Sequence, residues 1–218
     1  MNIKKKFNLE TICIYNPLNK NYILKSSYEN IRNNFFKNYK HLKIIFIGRF
    51  VDQKDPLTFL KAINLLKKIK FKALIIGKGI LKNDMESFIN KEKLQQKVKI
   101  INWQKNPYKF IKSSDVLVLT SKFEGLPNIL LEGISLKKFI ISSDCPTGPK
   151  EILNNGKGGF LFQVGDHIDL ANKLHHFSSN KRELNNKINF AYKNLLRFDY
   201  KKNLNLYYRE VGGLLHEK

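Results

Sequence analysis

Short apolar runs alternate with stretches of helical periodicity along this chain. Leu42-Lys-Ile-Ile-Phe-Ile47, Phe71-Lys-Ala-Leu-Ile-Ile76, Val98-Lys-Ile-Ile101 and Val116-Leu-Val-Leu-Thr120 are rich in β-branched and apolar residues, and turn residues or a helical stretch follow each. Such runs predict buried strands. Thr11-Ile-Cys-Ile-Tyr15, stopped by Asn16-Pro17, predicts an earlier strand, and Lys138–Ser142 and Gly159–Phe162 predict later ones. Between them, Leu57, Leu60, Ile63 and Leu66 recur at helical spacing behind Asp55-Pro56, a helix-start signal. Further helices are expected over Leu81–Leu94, Pro107–Ser113, from near Pro127, and through most of 166–210. The lysine-rich stretch 18–40 is expected to be loop with some helix around Ser27–Tyr39. Strands alternating with helices predict an α/β fold, a doubly wound parallel, Rossmann-like sheet. No repeat or low-complexity linker interrupts the chain, so a single domain is expected over 1–180, with a helical C-terminal tail over 181–218.

Composition narrows the picture. At 218 residues and 42% hydrophobic the chain can bury a substantial core. No apolar run approaches the ~20 residues of a membrane span. Met1-Asn-Ile-Lys-Lys-Lys-Phe7 starts basic but lacks the apolar stretch of a signal peptide. Cys13 and Cys145 match no metal or redox spacing. The expected location is therefore cytoplasmic.

The net charge of +22 suggests nucleic acid, but 35 of the 40 basic residues are Lys and only 5 are Arg. There is no arginine cluster or aromatic–basic interleaving of the kind that reads bases, so no nucleic-acid partner is expected. Weak attraction to an anionic surface, the cytoplasmic face of the inner membrane, remains as an expectation. The five histidines have no ligand spacing, and no Asp-x-Asp occurs. No metal and no cofactor are expected.

Open doubly wound sheets bind ligands outside the carboxyl ends of their strands. Each candidate feature lies at such an end: Gly48-Arg49, Gly77-Lys-Gly79, Trp103 and Glu124. Pro127 suits a first helical position, and Leu126 stands where a capping Ser, Thr, Asp or Asn is usual. The amides of Asn128 and Ile129 are thus left without a side-chain acceptor. An uncapped helix start approached through Gly125 is an anion site. Glu124 on the turn and Glu132, about one and a half turns into the helix, offer carboxylates for hydroxyls. Arg49 and Lys54, across the turn from strand to helix, can neutralise a diphosphate, the arginine bidentately. The Gly77–Gly79 loop completes neither a dinucleotide fingerprint nor a Walker loop; it either admits a base or ribose to the backbone or turns the chain. Trp103 either covers a base edge or belongs to the core or rim.

Gly48-Arg-Phe-Val-Asp-Gln-Lys-Asp55, Phe123-Glu-Gly-Leu-Pro-Asn-Ile-Leu-Leu-Glu132 and Asp144-Cys-Pro-Thr-Gly-Pro-Lys-Glu-Ile-Leu153 together resemble glycosyltransferase family 4, of the group 1 glycosyltransferases. The resemblance runs from about Ile14 to Leu174. It implies the C-terminal, donor-binding half of a two-domain GT-B fold and a retaining, metal-independent transfer of a sugar. By matching motif, Arg49 and Lys54 would hold the donor diphosphate and Glu124 the sugar hydroxyls. Glu132 would hold the ribose, Gly125–Ile129 would meet sugar and phosphate, and the strand ends near Gly77 and Trp103 would face the base. The Asp144–Glu151 segment resembles bacterial members that build surface polysaccharide from UDP-sugars, with a saccharide or lipid-linked acceptor.

The resemblance departs in one respect: family members carry an acceptor domain before the segment at which this chain begins. That domain is expected on another polypeptide, unless this is a truncated or split reading frame. The tail is rich in apolar residues, including Phe190, Leu195, Phe198, Tyr207 and Tyr208, and part of that surface is expected to await such a partner. The alternatives are a non-catalytic nucleotide-sugar-binding subunit and an NAD-type Rossmann protein.

Overall fold

The computed structural model describes residues 12–32 and 34–216. Six strands, β1 Leu42–Ile47, β2 Phe71–Ile76, β3 Val98–Ile101, β4 Val116–Leu119, β5 Phe139–Ser143 and β6 Phe160–Phe162, pair in parallel in the order β3-β2-β1-β4-β5-β6. The chain winds outward from β1 in one direction, then returns to lay β4 on its other side. The register Ile44↔Val116, Ile45↔Leu117, Phe46↔Val118 closes this central pair. The strand order therefore reverses between β1 and β4, where doubly wound sheets open a crevice at their carboxyl ends.

Side-chain alternation divides the strands between two cores. Ile44, Phe46, Val116 and Val118 face one cluster with α2 Pro56–Asn64, α3 Lys82–Lys91 and α7 His167–Ser179. Ile45, Leu74, Leu117 and Leu119 face the other. That second side is covered by α1 Lys20–Ser26, α4 Tyr108–Ser113, α5 Asn128–Ser135, the short α6 Pro149–Ile152 and α8 Asn185–Asn194. Burying a large apolar side chain contributes roughly 1.5–3 kcal/mol. Phe46, Phe59, Phe139 and Leu117, all fully buried, thus fix the sheet that presents the strand ends.

Three local expectations are corrected. Of the run expected as a strand over 11–15, Thr11 lies outside the described residues, and residues 12–15 pair with no described sheet strand. The segment packs on the C-terminal helices instead. The Tyr15 amide donates to Asn203 Oδ1 at 3.1 Å, the Leu18 amide to the Phe198 carbonyl at 2.9 Å, and the Tyr15 ring sits 4.7 Å from that of Phe198. The helix expected around 27–39 forms earlier, over Lys20–Ser26, because the Asn19 side chain caps the Tyr22 amide at 3.0 Å; turns follow. Pro127 is the residue before the focal helix rather than its first residue.

Leu195 and Phe198 are buried in the second core, whereas Tyr207 and Tyr208, on α9 Tyr200–His216, are exposed. Among the described residues no helix is long and apolar enough to cross a membrane.

Candidate nucleotide-sugar site

Where the strand order reverses, the strand-end loops enclose a cleft of about 530 Å³. Gly48 and Arg49 leave β1, Gly77 and Lys78 leave β2, Trp103 follows β3, and Glu124 follows β4. Leu126, Pro127, Asn128 and Ile129, at the start of α5, close the opposite wall. One region is apolar, with Ile47, Ile76 and Trp103, a residue 63% exposed. The rest carries charge: Arg49, Lys54, Lys78 and Glu124.

Two loops build the charged region. Asp55 adopts a left-handed conformation and caps α2, its carboxylate accepting from the Thr58 amide at 3.1 Å, with Pro56 following. This turns the preceding Lys54 toward β4. The hydroxyl of Thr120, fully buried after β4, lies 2.9 Å from the Lys54 carbonyl and 2.8 Å from that of Asp55. The Lys54 ammonium then forms an ion pair with Glu124, whose carboxylate also accepts from Ser121 Oγ at 2.6 Å. Arg49 takes a different partner: its Nη2 donates to Gln53 Oε1 at 2.8 Å. Among the described residues no side chain caps α5. Its first amides, which a helix leaves without intrahelical partners, open beside these charges. The cleft therefore brings together a guanidinium, an ammonium and a positive helix end, suited to an anion.

The family model for glycosyl transferases group 1 matches residues 27–194. The chain belongs to this family. An uncharacterized glycosyltransferase of Methanocaldococcus jannaschii is 40% identical over 132 residues, 60% of this chain and 31% of its own. The N-acetylgalactosamine-N,N'-diacetylbacillosaminyl-diphospho-undecaprenol 4-alpha-N-acetylgalactosaminyltransferase of Campylobacter jejuni is 27% identical over 131 residues, 60% of this chain and 36% of its own. The Anabaena protein HepE, solved in complex with UDP and glucose, superposes with a TM-score of 0.79 at 16% identity, over 91% of this chain and 56% of its own. The chain thus spans about a third of the length of the curated relatives it matches.

Three of the residues expected at the site lie outside the cleft. Gly79 serves packing: a Cβ there would lie 2.3 Å from the Phe50 carbonyl oxygen. Gly77 lines the cleft for the same reason, since its Cβ would meet the Gly48 carbonyl oxygen at 1.9 Å. Only glycines let the two strand-end loops touch, backbone to backbone. Gly125 has open space around its α-carbon, and its carbonyl is approached by Gly148 of the β5–α6 loop.

Glu132 faces an adjoining cavity of about 200 Å³, with Asn16, Asn19, Tyr22 and Tyr108. Asn128, one turn earlier on the same helix face, lines both spaces. Burial pushes the Glu132 carboxyl up to about 7, although the Tyr108 hydroxyl beside it favours the charged form. Tyr108 is itself pushed up to about 12 by burial and the neighbouring Glu132.

Residues overlooked in the sequence complete the site. Lys78 lines the cleft, and its place between two singled-out glycines was the available signal. Gln53 lies inside the Gly48–Asp55 motif. Thr147, whose hydroxyl donates to the Glu124 carbonyl, lies inside the Asp144–Leu153 motif.

Proposed function

We propose that this chain binds the nucleotide-sugar donor, a UDP-sugar, of a retaining, metal-independent glycosyltransferase of family 4. The sugar passes to a saccharide or lipid-linked acceptor in surface polysaccharide synthesis. The observation that carries this reading is the convergence of Arg49, Lys54 and the uncapped start of α5 on one cleft, where the strand order reverses. The cleft volume falls in the range of small-molecule sites. Support for UDP comes from the fold shared with HepE, solved with UDP and glucose, and support for a lipid-linked acceptor from the name of the Campylobacter relative.

In this reading the diphosphate lies between Arg49 and the amides of Asn128 and Ile129. The base occupies the apolar region near Gly77 and Trp103. Glu124 meets the sugar hydroxyls and Glu132 the ribose, reached past Asn128. As the glycosidic bond breaks, negative charge grows on the leaving diphosphate. Arg49, Lys54 and the oriented amides already stand where that charge develops, which is how a preorganised site lowers a barrier. The acceptor is held by a further domain facing the cleft, as two-domain members require. Orienting donor against acceptor supplies up to ~7–11 kcal/mol of barrier lowering, so the donor domain taken alone binds without turnover.

Calorimetric titration of the 218-residue chain with UDP, GDP, ADP and NAD tests the assignment. Saturable UDP binding well above NAD supports it. NAD binding without UDP binding replaces it with a dinucleotide-binding protein.

A further inference from the structure

The loop after β1 and the loop after β4 form the charged part of the cleft, and Gln53 makes three hydrogen bonds there, two across to the loop after β4 and one to Arg49 in its own loop. Its side-chain oxygen accepts from Arg49 Nη2 at 2.8 Å. Its side-chain nitrogen donates to the Phe123 carbonyl at 3.0 Å, and its main-chain carbonyl accepts from the Lys122 amide at 2.8 Å. Holding a guanidinium and a carbonyl at once requires an acceptor and a donor on one short planar group, which a carboxamide provides. A carboxylate would hold the arginine too, but it could not donate to Phe123 and would cancel the guanidinium charge. The neighbouring cations are treated differently: Lys54 is paired with Glu124, and Lys122 with Asp52 at 2.5 Å. Among the described residues Arg49 forms no ion pair.

We infer that Gln53 is a positioning residue for the donor. It fixes the Arg49 guanidinium at the cleft wall through a neutral hydrogen bond, so the arginine is already ordered and its whole charge is available to the diphosphate. This rests on the proposed role of Arg49 in donor binding. Ordering a long side chain before the ligand arrives lowers the entropy lost on binding. Anchoring the same amide to Phe123 ties that order to the loop carrying Glu124.

The test is a double-mutant cycle on UDP affinity in the 218-residue chain, with Gln53→Met, Gln53→Glu, Arg49→Ala and the two combinations. Gln53→Met keeps the length of the side chain and removes both hydrogen bonds; it is expected to weaken UDP about fivefold to tenfold. Gln53→Glu is expected to weaken UDP further, because the new carboxylate competes with phosphate for Arg49. In the Arg49→Ala background both changes are expected to have no effect, since residues acting through one group are non-additive. A purely structural role would not produce that silence. Parent-like UDP affinity in Gln53→Met, with Arg49→Ala still impaired, overturns the positioning role and leaves the donor-site reading intact. An equal loss in both backgrounds also overturns it. Arg49→Ala with parent-like affinity overturns the donor-site reading itself, and the role of Gln53 with it.

Discussion

Lys54 and Glu124, separated by 70 positions in the chain, form an ion pair at the charged wall of the cleft, with side chains only 17% and 8% exposed. The pair joins the loop after β1 to the loop after β4 across the point where the strand order reverses. With Lys54 matched by Glu124 and Lys122 by Asp52, Arg49 is the cation of the two loops that has no ion pair among the described residues.

Breaking this pair has opposite effects on two ligands. Glu124→Gln keeps the shape of the side chain and releases the Lys54 ammonium. The variant is expected to lose about 1–3 kcal/mol of stability, the cost of an unsatisfied, largely buried group. It is expected to bind UDP at least as tightly as the parent, while affinity for the sugar-bearing donor falls. Denaturant melts and parallel calorimetry with UDP and UDP-glucose read both effects. Equal weakening of the two ligands would contradict the assignment of Glu124 to the sugar.

Glu132 gives the fold a pH dependence. Its carboxyl is raised from 4.5 to about 7 by burial, so between these values the folded chain holds a proton that the unfolded chain has released. Stability therefore falls as pH rises through that window and levels off above it. Glu132→Gln is expected to flatten this part of the profile. Melting temperatures of parent and variant between pH 4.5 and 8 check it, and identical slopes would contradict it.

Gly77, in the cleft lining, and Gly125, outside it, should respond differently. Gly77→Ala places a Cβ 1.9 Å from the Gly48 carbonyl oxygen, and forcing the loops apart is expected to cost at least the ~1–3 kcal/mol of an overpacked core. Gly125→Ala meets nothing within 4 Å and is expected to leave stability within about 0.5 kcal/mol of the parent. Urea unfolding of both variants makes the comparison, and a stable Gly77→Ala would show that the loops are not in contact.

Much of this was legible in the sequence, for identifiable reasons. The runs at 42–47, 71–76 and 116–119 are apolar on both faces, which only a strand buried between two layers requires, and the residue types that end them mark the cleft. What stayed hidden depends on contacts between distant segments. Nothing near Tyr15 indicates that it packs against Phe198 and Asn203 rather than in a sheet edge. Lys54 and Glu124 were each visible as site residues, but their pairing is tertiary. Spacing put Glu132 on the helix without revealing that its face turns toward Tyr108. Gln53 and Thr147 act through hydrogen bonds between loops that periodicity does not relate.

The central claim is that Arg49 anchors the diphosphate of a UDP-linked donor, and the most direct test is the UDP affinity of the 218-residue chain with and without that guanidinium. The parent is expected to bind UDP, and Arg49→Ala to bind it more weakly by about 1.5–3 kcal/mol, the range for a hydrogen bond to a charged group. Unchanged affinity in Arg49→Ala, or no UDP binding by the parent, would contradict the account.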